Sequence, residues 1–328
     1  MNYFVVGGAG FIGSHLVRTL LTELKDARVV IYDNFSSGKM WHLEGLEGHA
    51  NLKIIKDDIK NTAALQQAMA GAQVVYHFAS NPDISKAVTQ PDIDFWEGTY
   101  LTNNVLEAMR TNNIKRLLYA SGSGVYGDTG LIDVKEDYSP MLPISTYGAS
   151  KLSCEVLICA YCHMFDMNAN VFRFANVVGP HQTHGVGYDF VRRLLKNPLE
   201  LHILGDGTQS KSYIFISDVI NAMRRLEIEK IKGFTCHNAG TLDAITVTEI
   251  AGIVVDLMGL KEVKYLYSGG DRGWKGDVPV IRLNSDKLRS MGWKNQYTSK
   301  EAIRSSVKSI LEDAKLNKFG WAQESREK

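Results

Sequence analysis

The sequence predicts an α/β fold, a doubly wound parallel sheet with a smaller C-terminal α/β domain, on three observations. Short, almost wholly apolar runs alternate with helical patterns from Tyr3 to Asn176. The first run ends in closely spaced glycines and opens directly into a helix. The 328 residues suffice for two domains of roughly 150 residues each.

Taken in order, strands are expected at Tyr3–Val6, Arg28–Tyr32, Leu52–Ile55, Val74–Phe78, Arg116–Ala120 and Asn170–Arg173. Helical patterns separate them at Phe11–Leu24, Ala63–Ala70, Ile93–Thr111 and Thr146–Phe165. Each strand is short and apolar throughout, as strands covered on both faces should be. After Asn176 the rhythm loosens. The stretches 179–187 and 268–277 are glycine-rich and polar, and helices return near Tyr188–Lys196, Val219–Glu229, Val247–Met258 and Lys300–Lys315. The expected division is therefore 1–176 for a cofactor domain and 177–328 for a substrate-binding domain, with some later segments packing back on the sheet. The charged tail from Leu316 to Lys328 is expected to be mobile.

Composition excludes several classes. Hydrophobic residues at 45% and charged residues at 22% are ordinary for a globular chain, which argues against disorder. The net charge of +1 advertises neither nucleic acid nor an anionic membrane. No run approaches the ~18 apolar residues of a membrane span, and the apolar N-terminus lacks the basic region of a signal peptide. Four cysteines make no disulfide framework, so a reducing, cytoplasmic setting is expected.

Gly7, Gly10 and Gly13 form GxxGxxG between the first strand and its helix. Such spacing lets the backbone turn tightly and brings a pyrophosphate to the helix N-terminus, although a purely structural βα turn uses the same glycines. Asp33, ending the second strand 20 residues after Gly13, suits the hydroxyls of an adenosine ribose and repels a 2′-phosphate. NAD is thus favoured over NADP. Asp58, after the third strand, is placed to reach the adenine edge or, equally, to cap a helix.

Tyr147 and Lys151 stand four apart in a helical stretch and project from one face. A free phenol, with a pKa near 10, is a poor base at neutral pH. A neighbouring ammonium and an oxidised nicotinamide both favour the phenolate. A shift of ~3 units requires ~4 kcal/mol of differential stabilisation and makes Tyr147 a competent general base. A surface Tyr/Lys pair has the same spacing; the upstream dinucleotide signature tips the balance.

Together with GGAGFIGSH, the segments DNFSSG (33–38), HFAS (77–80), VYGD (125–128), YGASK (147–151) and RFANVVGP (173–180) resemble the extended short-chain dehydrogenase/reductase family over nearly the whole chain. Within it the nearest likeness is to the NAD-dependent epimerases and dehydratases, particularly nucleotide-sugar epimerases acting on UDP-glucose. The resemblance implies a Rossmann-like fold with NAD bound by Gly7, Gly10, Phe11, Ile12 and Gly13 in the turn. Asp33, Asn34, Ser36, Gly38, Asp58, Ile59, Phe78, Ala79, Ser80 and Ser121 complete that set, with Tyr147 and Lys151. It also implies a catalytic Ser or Thr before VYG. Counted back from Tyr126, that position is Gly122, and Ser123 lies one place later. Ser123 takes the role if the loop shifts; a loop serine bonding backbone is the alternative. Dehydratases and decarboxylating relatives carry an acid after that hydroxyl, whereas Ser123 and Gly124 supply none, which favours epimerisation.

By the same resemblance, Asn176, Lys211, Arg272 and Asp277 bind the nucleotide diphosphate-sugar, with Lys211 standing where the family has arginine. Asp277 is two residues further from Arg272 than the pattern expects, and Ile281 falls at a position that gates sugar size. A UDP-sugar is the expected substrate, and a homodimer through the helices around Ile93–Thr111 and Thr146–Phe165 the expected assembly. His181 with His184, and Cys159 with Cys162, lack the further ligands a metal needs, so no metal is expected. Two rivals remain: a nucleotide-sugar reductase or dehydrogenase with net redox change, and a non-catalytic nucleotide-sensing scaffold.

Overall fold

The computed structural model describes residues 1–229 and 232–321. The chain forms two compact units that exchange segments. Unit 1 comprises Met1–Gly127, Ser139–Arg173 and Ile220–Asn238; unit 2 takes Asp128–Tyr138, Phe174–Val219 and the chain from Ala239 onward.

Unit 1 is built on seven strands: β1 (Asn2–Val6), β2 (Arg28–Asp33), β3 (Leu52–Lys56), β4 (Val74–His77), β5 (Arg116–Gly122), β6 (Asn168–Phe174) and β7 (Phe234–Ala239). They lie in the order β7-β6-β5-β4-β1-β2-β3. The pairings β1–β2, β2–β3, β1–β4 and β4–β5 are parallel, as crossover helices require. The order reverses between β1 and β4, and such a switch point leaves a crevice beyond the strands' C-terminal ends. Among the described residues five α-helices accompany the sheet: α1 (Phe11–Glu23), α2 (Thr62–Met69), α3 (Tyr100–Thr111), α4 (Thr146–Phe165) and α5 (Ile216–Ile228). Phe4, Val6 and Val75 of the sheet pack in one core with Leu65 of α2, Val105 of α3 and Ile158 of α4.

Two of these elements differ from the sequence expectation. The helix expected at Ile93–Thr111 is interrupted, with a wide π turn over Phe95–Thr99 before α3 begins. The distortion accompanies a close approach: a Cβ on Gly98 would lie 2.3 Å from Ser150 Oγ. Strand β7 was not expected at all. Its Thr235, His237 and Asn238 give it a loop-like composition, yet each finds a partner inside: Thr235 Oγ1 donates to Asn170 Oδ1 at 2.7 Å, His237 Nε2 lies 3.1 Å from Thr235 Oγ1, and Asn238 Oδ1 accepts from Tyr126 at 2.7 Å. The returning segment is fastened by Glu227, whose carboxylate bonds Tyr3, Tyr76 and Arg224, and by Arg116 Nη2 donating to Leu226 O at 2.5 Å.

Unit 2 packs the helices Val186–Lys196, Val247–Leu257 and Ser299–Lys315 around a second core that includes Phe190, Leu201, Ile250 and Val307. The last two helices begin in capping boxes, Thr246 with Glu249 and Thr298 with Glu301. A short four-stranded sheet sets Ser210–Lys211 between Ile245–Thr246 and Val280–Leu283, with Asp133–Val134 beyond. In the tail expected to be mobile, the rings of Phe319 and Trp321 lie 5.0 and 4.9 Å from that of Tyr188. The remainder, 322–328, lies outside the described residues. No helix among the described residues is long and apolar enough to cross a membrane.

Candidate functional site

The glycine turn joins β1 to α1 at the switch point. Gly7 holds φ +76° and donates its N–H to Tyr32 O at 2.9 Å. A Cβ there would lie 2.8 Å from Ala79 N, and one on Gly13 would lie 2.3 Å from Gly7 O. Only glycine fits either place, so the bare backbone of β1 lies directly against the segment after β4. The helix opens at Phe11 with Gly10 as an N-cap that offers no side-chain bond and with no acid in its first turn. Its first N–H groups and dipole therefore suit an anion.

Asp33, at the end of β2, is buried and accepts from Ala9 N at 2.9 Å and Phe35 N at 2.8 Å. Burial raises its pKa, and the two backbone N–H groups oppose that rise. Each oxygen thus takes one backbone bond and keeps a lone pair for a further donor, as a ribose hydroxyl would supply. The loop beyond wraps the turn, for Lys39 N donates to Ala9 O at 3.0 Å and a Cβ on Gly38 would lie 2.8 Å from Asp33 Oδ1. Asn34 Nδ2 donates to Asp58 Oδ2 at 2.8 Å while its Oδ1 accepts from Ser36 N at 2.9 Å. These contacts bring Asn34, Ser36 and Asp58 together. Ile59 is buried beside Asp58, and Phe78, Ala79 and Ser80 are half-buried after β4. The glycine cradle, the oriented Asp33 and this rim fit a dinucleotide.

Helix α4 carries Tyr147 and Lys151 on one face. Ser145 caps it by accepting from Gly148 N at 3.1 Å. Gly148 has a second role, since a Cβ there would lie 2.4 Å from Gly124 O. The first turn of α4 therefore rests on the 3-10 turn Ser123–Tyr126, in which Ser123 is half-buried and Gly122 is extended at the N-cap. Lys151 is buried, donates to Ala120 O at 2.8 Å, and lies 5.7 Å from the Tyr147 ring centre and 5.0 Å from that of Tyr119. His77 is nearby and fully buried; its pKa falls to about 3, first through burial and then through the charge of Lys151. Ser121, expected at the cofactor, donates its hydroxyl to the buried Glu155 at 2.6 Å.

The sequence reading missed the supports beneath these residues. Asp94 is buried, accepting from Thr146 Oγ1 at 2.6 Å and from Asn81 Nδ2 at 2.8 Å, while its carbonyl accepts from Ser150 Oγ at 2.6 Å. Glu155 and Arg173 form a buried ion pair at 2.6 Å. Burial works against the Arg173 cation, but the hydrogen bonds and charge of Glu155 outweigh it and hold that pKa above the ordinary guanidinium range. The visible signals were an acid four residues after Lys151 and an arginine inside an apolar strand.

Unit 2 gathers its four candidates. Asn176 N donates to Ser212 O at 3.3 Å, next to Lys211. Lys211 Nζ donates to Asp277 Oδ1 at 2.6 Å, and Asp277 Oδ2 accepts from Gly273 N at 3.0 Å. Arg272 donates to Asp277 O at 2.6 Å and to Asp128 Oδ2 at 2.5 Å. Asp277 thus clasps its own loop, with both carboxylate oxygens engaged. Ile281 is buried, in register with Lys211. His181 lies 3.5 Å from Asp313, Cys159 and Cys162 are free thiols in α4, and among the described residues no three metal-ligating groups converge.

Residues 3–231 match the model of the NAD dependent epimerase/dehydratase family. A putative UDP-glucose 4-epimerase of Methanocaldococcus jannaschii is 31% identical over 92% of this chain and 96% of its own. A solved UDP-galactose 4-epimerase is 35% identical, with a TM-score of 0.82 over 95% of this chain and 99% of its own. The UDP-glucuronic acid 4-epimerase of Bacillus cereus, solved with UDP-glucuronic acid and NAD, is 25% identical, with a TM-score of 0.86 over 95% and 99%.

Proposed function

The chain belongs to the NAD dependent epimerase/dehydratase family and its cofactor is NAD, and from that premise we propose that it is a nucleotide-sugar 4-epimerase of the UDP-glucose/UDP-galactose type. The observation that carries this reading is the acid-free turn Ser121–Tyr126 lying against the Tyr147–Lys151 helix. A single base suffices to take and return one hydroxyl proton, whereas elimination of water needs a second acid. Glu155, the carboxylate that does reach this turn, is buried and held by Arg173, so it is not free to serve.

The glycine turn, Asp33 and the rim described above would hold NAD, which when bound would supply a reversible hydride acceptor for C4 of the sugar. Tyr147 removes the C4 hydroxyl proton, and the Lys151 ammonium favours the phenolate that does so. Ser123 orients that hydroxyl. Asn176, Lys211 and Arg272 hold the diphosphate while the keto sugar turns its other face, and Tyr147 returns the proton. Lys211 and Arg272 meet carboxylates, so the phosphates compete with Asp277 and Asp128.

The same reading takes the protein as a cytoplasmic homodimer. Four cysteines are too few for a disulfide framework, which supports a reducing compartment. Phe95 and Trp96 before α3 and Val156 and Met164 on α4 are exposed large apolar side chains that a partner would cover. Sedimentation at micromolar concentration checks the dimer; a monomer carrying Val156→Glu is the expected contrast.

Incubation of purified protein with UDP-galactose and no added nucleotide, followed by NMR of the sugar, tests the activity. Conversion to UDP-glucose is expected. Stoichiometric consumption of added NADH would instead identify a reductase, and binding without conversion a sensing scaffold.

A further inference from the structure

The Tyr147–Lys151 stripe continues one turn beyond the residues the chemistry uses. Glu155 follows Lys151 by four positions and is buried at 2% exposure. Its carboxylate accepts from Ser121 Oγ at 2.6 Å, from Arg173 Nη2 at 2.6 Å and Nε at 3.1 Å, and from Cys236 Sγ at 3.7 Å. Arg173 Nη1 donates to the Tyr126 hydroxyl at 2.9 Å, which itself donates to Asn238 Oδ1 at 2.7 Å. One ion pair thereby joins α4 to β5, β6, β7 and the turn Ser123–Tyr126.

Stability is a weak reason for such a pair, because well-packed apolar side chains of similar volume are often at least as stable. Its geometry suggests a different reason. Lys151 bonds Ala120 O and Glu155 bonds the next residue, Ser121. Two successive turns of α4 are thus tied to two successive residues of β5, which fixes both the rotation and the height of the helix. Tyr147 rides on one of the joined elements and Ser123 on the other.

We propose that Glu155 and Arg173 are positioning residues that set the register of the Tyr147–Lys151 helix against the Ser121–Tyr126 turn. Neither contacts the sugar. The kinetic consequence rests on the epimerase reading; the structural consequence does not.

The test is the double variant Glu155→Met/Arg173→Met, which removes both charges at similar volume. It is compared with wild type as NAD-loaded protein for kcat, KM and, in a crystal structure of each, the place of the Tyr147 side chain against Ser123. The expected outcome is a folded protein whose kcat falls about 100-fold, as for a catalytic group displaced by about an ångström. KM should stay within about threefold, and Tyr147 should sit about an ångström from its wild-type place. A folded double variant with unchanged kcat and an unmoved Tyr147 overturns the proposal. Should the double variant not fold, Arg173→Lys keeps the charge and loses the fork that reaches Tyr126. It should lower kcat about tenfold at near-constant KM, and an unmoved Tyr147 is equally fatal. If wild type proves inactive as an epimerase while Tyr147 is still displaced in these variants, the epimerase reading fails and the positioning role stands.

Discussion

The two units treat the cations of the candidate site in opposite ways. In unit 1, Lys151 is buried, and its ammonium meets a carbonyl, Ala120 O, and two aromatic rings. In unit 2, Lys211 and Arg272 are more accessible, and each meets a carboxylate, Asp277 or Asp128. A carbonyl dipole orients a charge without cancelling it, whereas a carboxylate neutralises it until another anion competes. The first arrangement suits a cation whose field must act permanently on a neighbouring phenol. The second suits cations that engage a diphosphate only when it arrives.

The largest effect should come from removing the group that this field serves. Tyr147→Phe is expected to lower kcat by ~10³-fold or more with little change in KM, since it deletes the proposed proton acceptor and leaves the proposed diphosphate contacts intact. Loss of binding instead of turnover would break the distinction between the units. Lys151→Met comes next, at ~10²-fold in kcat. Lys151→Arg, which keeps the charge, should lose less. Equal losses in the two variants would mean that Lys151 acts only through packing.

The buried charge has a further signature in His77. Its pKa falls from 6.5 to about 3 through burial and the neighbouring Lys151. The unfolded chain therefore takes up a proton between these values that the native protein does not. Stability is retained above about pH 6.5 and lost as the pH falls, at no more than about 1.4 kcal/mol per pH unit. Denaturant unfolding of His77→Gln should show a flatter acid dependence than wild type. Were the slopes the same, His77 would be titrating normally and the neutral neighbour of Lys151 would be a wrong assignment.

The same contrast explains what the sequence revealed. Groups whose geometry is local were legible: Gly7 and Gly13 through one strand–turn–helix, Tyr147 and Lys151 through one helical turn. Asp33 was legible because a strand end fixes it. Glu155 and Arg173 were not, because 18 residues separate them and the meaning of each lies in the other. Strand β7 was hidden for a related reason, since Thr235 and Asn238 look like loop residues until Asn170 and Tyr126 are placed beside them. Asp277 was visible as an acid near Arg272, but not that Lys211 and Gly273 already engage both of its oxygens. Sequence pattern reports which way a side chain points along its own element. It does not report which distant element completes its hydrogen bonds.

The smallest predicted effect separates two roles for Asp128. Its bond to Arg272 is partly exposed, with side-chain accessibilities of 36% for the arginine and 32% for the aspartate. A pair of that exposure contributes at most about 1 kcal/mol, roughly fivefold in an equilibrium constant. If Asp128 competes with the diphosphate for the guanidinium, Asp128→Asn should lower KM for the nucleotide sugar by up to about fivefold and leave kcat unchanged. The gain should shrink with added salt, which screens the competing pair in wild type. If Asp128 instead aims the Arg272 fork, the same change should raise KM, since a guanidinium without its partner samples more rotamers and reaches the phosphate less often. Arg272 has a second anchor, Asp277 O at 2.6 Å, that survives the substitution and is not itself anionic. That remaining bond preserves orientation while the charge is released, so competition is the expected result. A lower KM would show that unit 2 holds its cations in reserve.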